Sequence, residues 1–429
     1  MGKELKIGII GLGNVGSGVY DILTQDIRMI NKRSKTSLKL TAVSSRNKKD
    51  FVDETKVKFY SNPLDLVNDK EIDVVVELIG GETTSYQLIT QALNNNKHIV
   101  TANKALIASR GIELAELASK NNVAFAFEAS VAGGIPIIKS IKEGLAANCV
   151  TKIYAILNGT CNCILTKMEE NNADFADALK EAQNLGYAES DPTFDIEGID
   201  TAHKLSILTS IAKNSKIDFN GIYVEGITKI SIDDINFAKE FGYRIKLLGI
   251  YEDLGNKIKQ AVYPCLIKNN EKIANINNSY NAVLSLTSNA GWSFSAGRGA
   301  CSKPTASAVV ADLIDIANDR YGFSLGVSVK DLNDIETIKI KERVGEYYIR
   351  FYTEKEFAKN SNFIKNIFEN SDIIEKSTIK EINENNLIYA FKIKSISETK
   401  INGIISKISE IKEIVNLNLI RVEAIESDL

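Results

Sequence analysis

Histidine is nearly missing from this chain: two occur in 429 residues, at positions 98 and 203. A His-based triad or a His-rich metal centre is therefore not expected, and catalysis has to rest on Lys, Asp, Glu or a cofactor. Cysteine is sparse too, with five at 149, 161, 163, 265 and 301. The count is odd. Cys161 and Cys163 sit too close in sequence for a good disulfide and are too few for a zinc site. Reduced thiols in a cytoplasmic protein are the simplest expectation. Neither sign of charge dominates. Lys and Arg total 52 against 55 Asp and Glu, a net charge of −3, so the basic footprint of a nucleic-acid binder is lacking. No apolar run approaches the ~20 residues that a membrane span needs. The opening ELKIGIIGLG enters a strand pattern directly, without the regions of a signal peptide. A small molecule, rather than nucleic acid or membrane, is the expected partner.

What is present is ordinary for a globular protein: 44% hydrophobic and 25% charged residues. The length suits two or three domains with separate cores. The first domain announces itself at Leu5–Tyr20, LKIGIIGLGNVGSGVY. A buried strand pattern (Ile7, Ile9, Ile10) runs into Gly11-x-Gly13-x-x-Gly16 and then a helical pattern through Val19, Ile22 and Leu23. This is the dinucleotide fingerprint in its required strand-turn-helix context. Gly11 permits the tight turn, Gly13 lets backbone approach a pyrophosphate, and Gly16 lets helix pack on strand. The pyrophosphate would sit on the free amides of the helix start, lined by Leu12, Asn14 and Val15. A glycine-rich turn in some other α/β protein is the bland alternative.

The second strand reads Leu38–Val43, after a polar insertion over Asp26–Ser37. An NAD-selective site would place Asp or Glu at its end. Ser44, Ser45 and Arg46 stand there instead. Arg46 suits a 2′-phosphate, so NADP is expected, with NAD as the other candidate. Strand and helix patterns then alternate: Val74–Leu78, a helix over Tyr86–Asn94, the strand HIVTANK, a helix over Ala105–Lys120, and a strand in VAFAFEASVAGGIP that ends in Glu128. That alternation argues for a parallel sheet with right-handed crossovers. Lys104 falls just past a strand's C-terminal end, where such sheets place ligands.

Near residue 150 the character changes. The strand KIYAILNG leads through NGTCNCILTKM and a helix (Asp174–Leu185) to an acidic stretch, Gly186–Lys204. That stretch holds Glu189, Asp191, Asp195, Glu197, Asp200 and Lys204. Such groups are rarely buried without partners. Pro192, Gly186 and Gly198 imply a shaped turn, and the helical pattern after Gly198 puts Asp200 and Lys204 four apart on one face. That spacing fits an exposed pair or a lysine placed to move a proton. Thr228–Gly249 and Lys257–Leu266 add strands and a helix. A glycine-rich loop, GWSFSAGRGA, precedes the long helix of SKPTASAVVADLIDIA. Polar residues 329–344 read as a linker. The last residues read as strand (Glu346–Tyr352), helix (Phe357–Glu369), strands near Lys376–Ile382 and Asn386–Ser395, helix (Ile401–Ile411) and strand (Val415–Val422), a ferredoxin-like βαββαβ order.

Taken together the motifs resemble homoserine dehydrogenase over nearly the whole chain. The resemblance rests on GLGNVGSG, VVVELIGG, VTANKAL, FEASVAGGIPII, ILNGTCN, GYAESDPTFDIEGIDTAHKL and GRGACSKPTASAVVADL, in the family's order. It implies an α/β architecture of three parts: a Rossmann-type domain over 1–134 completed by the helix near 304–322, an α+β substrate and dimerisation domain over 135–303, and an ACT-like tail over 345–429. The implied reaction is reversible NAD(P)H-dependent reduction of L-aspartate 4-semialdehyde to L-homoserine, in the biosynthesis of threonine, methionine and isoleucine. By resemblance Glu189 holds the substrate ammonium, with Tyr187 and Asp195 beside the substrate. Asp200 orients it. Lys204 gives the proton to the developing alkoxide, with Lys104 the second candidate. Gly299 lies against the nicotinamide. Glu128 and the carbonyls of Val131, Gly133 and Ile135 match the family's monovalent-cation site, usually sodium. A homodimer or homotetramer is the family's expectation.

The chemistry agrees with these roles. Hydride arriving at an aldehyde carbon leaves charge on oxygen, and a positioned acid contributes about 10²–10⁴-fold in rate. The chain also departs from the family pattern. Cys301 replaces a glycine usual after GxGA, and the tail has TEKEFAKNSNF where many ACT domains carry an Asp-x-x-Gly effector turn. An amino-acid effector at the tail and a role in assembly alone are both left open. Two other readings compete: a different NADP-dependent reductase with an inserted domain, and an amino-acid sensor with a relic dinucleotide domain. Neither accounts for the set Glu189, Asp200 and Lys204.

Overall fold

The computed structural model describes residues 4–359, 363–368 and 371–425. The chain forms two compact units. The first takes Met1–Ile153, Ala202–Ile222 and Tyr280–Ile335; the second takes Tyr154–Thr201, Tyr223–Ser279 and Glu336–Leu429.

The first unit is built on a parallel sheet of β1 (Glu4–Ile10), β2 (Ser37–Ser44), β3 (Lys58–Tyr60), β4 (Val74–Glu77), β5 (His98–Thr101) and β6 (Phe125–Ala126), in the order β3-β2-β1-β4-β5-β6. The order reverses between β1 and β4, which opens a crevice at their C-terminal ends. Ile7, Ile9, Val74, Val75 and Val76 are wholly buried, as strands covered on both faces must be. The helices Asn14–Gln25, Thr83–Asn94, Lys104–Lys120 and Ser302–Ala317 belong to this unit. Val309 and Leu313 of the last helix join Val19 and Leu23 in one core. The late helix Ser302–Ala317 thus shares the core of this unit. A short helix, Ile27–Asn31, occupies part of the polar insertion before β2.

Two expectations fail here. The strand expected to end in Glu128 stops at Ala126, and Glu128–Ser130 is a single 3₁₀ turn. The glycine-rich segment before the last helix is no loop up to Arg298. Gly291–Arg298 pairs antiparallel with Tyr280–Thr287, and Gly299 follows the hairpin. Its glycines and serines hid the alternation of a strand.

In the second unit the strand Tyr243–Asp253 pairs antiparallel with Lys257–Lys268. The tail strands run in the order Ile414–Val422, Val344–Glu354, Asn386–Ser397, Ile374–Glu381, so the fourth lies beside the first. The aromatic rings of Phe351, Tyr389 and Phe391 stack across that sheet under Ile401, Ile404 and Ile408 of the helix Glu398–Ser409. The helix expected over Phe357–Glu369 is two shorter helices, Lys355–Ala358 and Phe363–Phe368; positions 360–362 and 369, which the expectation also covered, lie outside the described residues. Part of the expected linker is ordered: Glu336 and Thr337 pair with Lys257 and Ile258. Among the described residues no helix is long and apolar enough to cross a membrane.

Candidate active site

In the first unit the glycines do separate jobs. Gly11 has φ +99, and a Cβ there would meet the Leu78 carbonyl at 2.7 Å. A Cβ on Gly16 would lie 1.8 Å from the Gly11 carbonyl oxygen, so only glycine lets the helix start this close to the turn. Gly13 has open space around it and is the N-cap residue of the helix Asn14–Gln25. Gly13 and Asn14 are exposed and Val15 half-buried, while the Leu12 side chain anchors the loop in the core. Arg46 is exposed two residues past the end of β2, next to β1 in the sheet.

Lys104 opens a helix capped by Asn103, whose Oδ1 accepts from Leu106 N at 3.2 Å. Asn103 is set by a buried carboxylate. Its Nδ2 donates to the Gly81 carbonyl, and its N–H donates to Thr101 Oγ1, which donates to Glu77 Oε2 at 2.7 Å. Glu77 Oε1 also accepts from the N–H groups of Ile79 and Gly80. One wholly buried residue thus ties together the loops after β4 and β5.

Glu128 is 2% exposed and accepts from the N–H groups of Ile138 and Lys139, at 2.9 and 2.8 Å. Burial, with the Asp312 carboxylate beside it, pushes its carboxyl up to about 7, against the pull of those two N–H groups. Val131–Ile135 follows in irregular backbone, with Ala132 at φ +56 and Gly133 at φ +55. The Ile135 carbonyl accepts from Ile137 N at 2.8 Å. Gly133 lies against Gly299: its Cβ would meet the Gly299 oxygen at 2.3 Å. A Cβ on Gly299 would in turn overlap the Asn281 amide at about 2 Å. Asn281 is wholly buried, with neither amide atom hydrogen-bonded.

In the second unit the acidic stretch is organised by one amide. Asn158 Nδ2 donates to Asp195 Oδ1 at 2.7 Å and to Asp200 Oδ2 at 2.8 Å. Its Oδ1 accepts from Cys161 N and so caps the helix Gly159–Asn171. Asp200 is 4% exposed and sits in the first turn of the helix Ile199–Lys213. Lys204, half-buried, lies one turn further along that helix, past Ala202, where the chain enters the first unit. The Tyr187 carbonyl accepts from Thr160 Oγ1 at 2.7 Å, while its ring and the Glu189 carboxylate are exposed. Asp191, also in the stretch, accepts from Thr193 N–H and hydroxyl, a turn bond that holds its carboxyl below the usual range.

Two family models match the chain: one described as homoserine dehydrogenase, over residues 136–314, and one as the homoserine dehydrogenase NAD-binding domain, over residues 11–128. The homoserine dehydrogenase of Helicobacter pylori is 40% identical over 423 residues and 97% of each chain. That of Pseudomonas aeruginosa is 46% identical over 314 residues, covering 73% of this chain and 72% of its own. Among solved structures, a homoserine dehydrogenase from Thiobacillus denitrificans matches with TM-score 0.90 and 39% identity over 98% of both chains. A hyperthermophilic archaeal homoserine dehydrogenase in complex with NADPH matches with TM-score 0.64 and 25% identity, over 75% of this chain and 99% of that one. The chain belongs to the homoserine dehydrogenase family. It is an NAD(P)-dependent oxidoreductase acting on a CH–OH group, interconverting L-homoserine and L-aspartate 4-semialdehyde.

Sequence reasoning missed two residues of this homoserine dehydrogenase. Asn158 lay within ILNGTCN, and Asn before a glycine and an apolar helix is a standard N-cap signal. Its bonds to Asp195 and Asp200 span about 40 residues and leave no local trace. Glu77 ended an otherwise apolar strand, VVVE, and a carboxylate there marks a strand end near ligands.

Proposed function

We propose that Lys204 is the proton carrier, Asp200 and Asp195 orient the substrate, and Glu189 takes its ammonium, with Tyr187 beside it. The observation that carries this reading is the pair of hydrogen bonds from Asn158 to Asp195 and to Asp200, the latter one helical turn before Lys204. An amide that holds two carboxylates fixes their oxygens in space. The dinucleotide supplies or accepts the hydride. In the reduction the Lys204 ammonium gives its proton to the carbonyl oxygen. In the oxidation the neutral amine takes the hydroxyl proton. Lys104, at the start of the helix after β5, is the second candidate for that transfer.

The glycine loop fits a dinucleotide, since Gly13 leaves open space where a Cβ would otherwise stand. Gly299 would face the nicotinamide. Arg46 would hold a 2′-phosphate and favour NADP over NAD; NADPH in the archaeal relative agrees with this. Glu128 with the carbonyls of Val131, Gly133 and Ile135 forms an all-oxygen set of the kind hard cations such as sodium take. Among the described residues no group of three His, Cys, Asp or Glu competes with it. A cation there would steady the turn that meets Gly299. The tail would be an ACT-like module that takes an amino-acid effector or serves assembly as a dimer or tetramer. A cytoplasmic enzyme with domains over 1–134, 135–303 and 345–429, joined by 329–344, is the organisation this implies.

The test is the initial rate of homoserine oxidation with NADP and with NAD, with and without threonine, in wild type and Lys204→Ala. Loss of turnover in Lys204→Ala with NADP binding retained supports the assignment. Retained turnover overturns it.

A further inference from the structure

Lys246 lies in the strand Tyr243–Asp253 and is 1% exposed. Its ammonium donates to Asn162 Oδ1 at 3.0 Å, to the Ile276 carbonyl at 2.6 Å and to Asn277 Oδ1 at 3.2 Å. Three N–H groups thus meet three acceptors, all of them neutral. Asn162 is one turn after Asn158 on the helix Gly159–Asn171, and its Nδ2 donates to the same Ile276 carbonyl. Thr166, one turn further, accepts from Asn278 N at 3.0 Å. The 276–278 segment is therefore clamped along the helix whose cap holds Asp195 and Asp200.

A buried ammonium with no carboxylate in its hydrogen-bond shell is costly, and methionine would fill the space at less cost. Its use here needs a reason in the site. We propose that Lys246 is a positioning residue for the reaction: its ammonium fixes the Gly159–Asn171 helix, and with it the Asp195 and Asp200 carboxylates, and that hold fails when the ammonium loses its proton.

Burial pulls the Lys246 ammonium down to about 8. The charges that act on it are Glu169 and Glu170 on the helix and Arg244 on its own strand, and Arg244 pairs with Glu169 at 3.2 Å. Across the strand pair stands Cys265, a buried thiol held protonated, and the 276–278 segment brings only amides and carbonyls. A neutral amine keeps two N–H groups for three buried acceptors. Loss of that hold gives homoserine oxidation a falling limb on the alkaline side of its pH profile.

The inference rests on the proposed Asp195, Asp200 and Lys204 site. The experiment is the pH profile of homoserine oxidation by the full chain between about pH 7 and 10.5, with saturating NADP. NADP dissociation constants and melting are measured beside it. Lys246→Arg keeps a permanent cation with donors; it should move the falling limb up by at least about one pH unit. Lys246→Met should lower kcat/KM for homoserine about tenfold or more at pH 7.5, leave NADP binding intact and show no falling limb. If Lys246→Arg does not fold, Asn162→Leu, which removes one acceptor, should flatten the same limb. A falling limb at the wild-type position in the variant that folds, or wild-type kcat/KM in Lys246→Met, overturns the inference. Wild-type activity in Asp200→Asn would instead mean that the underlying site is wrong.

Discussion

Asn158 Nδ2 stands 2.8 Å from Asp200 Oδ2 and donates to it. Asp200 is nearly sealed from solvent, so loss of that donor removes one hydrogen bond to a buried charged group, worth roughly 1.5–3 kcal/mol. Asn158→Ala should therefore cut kcat/KM for homoserine about 10- to 100-fold. It also deletes a helix cap worth about 1 kcal/mol. Asn158→Ser separates the two effects, because a serine hydroxyl caps a helix but does not span Asp195 and Asp200. The serine variant should melt higher than Asn158→Ala by the cap's share and remain impaired. Recovery of activity along with stability would show that Asn158 is a cap and nothing more.

In the proposed site Lys204 serves both directions of the reaction, as proton donor in the reduction and acceptor in the oxidation, so removing its side chain should slow both. Lys204→Met should lower kcat about 10²–10⁴-fold in both directions, with NADP affinity within about twofold of wild type. Wild-type kcat in Lys204→Met would count against Lys204 and move the role to Lys104.

How far the residues could be read in advance depended on the range of the interaction. The glycine loop was legible because its motif is local: Gly16 lies against the Gly11 carbonyl five residues back and Gly13 faces open space, although Gly11 itself meets Leu78 just past the end of β4. The Asp200 and Lys204 spacing was legible because a helix repeats every 3.6 residues. The hairpin Tyr280–Arg298 was not, because glycine and serine in its second strand imitate a loop. Asn158, Glu77 and Lys246 escaped for a different reason. Their partners lie at strand ends and helix starts far along the chain, and a buried polar residue carries no pattern that names its partner.

Arg46 should decide the cofactor. Set past β2 beside the glycine loop, its guanidinium would meet a 2′-phosphate with a charge-assisted bond worth roughly 1.5–3 kcal/mol. Arg46→Ala should raise the KM for NADP about tenfold or more and leave that for NAD unchanged. An equal effect on both cofactors would mean that Arg46 contributes only general positive charge.

Glu423 sets an acid limit on the second unit. Burial alone would raise its carboxyl, but Lys259, Arg343 and the Tyr263 hydroxyl prevail and hold it down to about 2. Arg343 Nη2 lies 2.9 Å from its Oε1, and the Tyr263 hydroxyl donates to the same oxygen at 2.7 Å. A carboxylate whose folded value lies below its unfolded one stabilises above the unfolded value of about 4.5 and loses that contribution as pH falls toward 2. The contribution is on the order of 2–3 kcal/mol. Urea midpoints should therefore drop between pH 5 and pH 3 more steeply in wild type than in Glu423→Gln, which cannot titrate.

Cys301 carries the clearest strain in the chain. Its φ of +88 and ψ of 159 belong to a region that glycine enters freely and other residues only at about 1–3 kcal/mol. It is held there because the next residue, Ser302, donates to the Asn14 carbonyl of the glycine loop and packs on Gly18. Cys301→Gly should relieve the strain, less the roughly 0.5–1 kcal/mol by which glycine favours the unfolded chain. A net gain of about 1 kcal/mol is expected, read as a rise of about 2 °C in the melting of the first unit. If strain at this position also orders the glycine loop, the same variant should bind NADP more weakly even as it melts later. A variant that melts earlier would mean that the thiol packs well enough to outweigh its backbone.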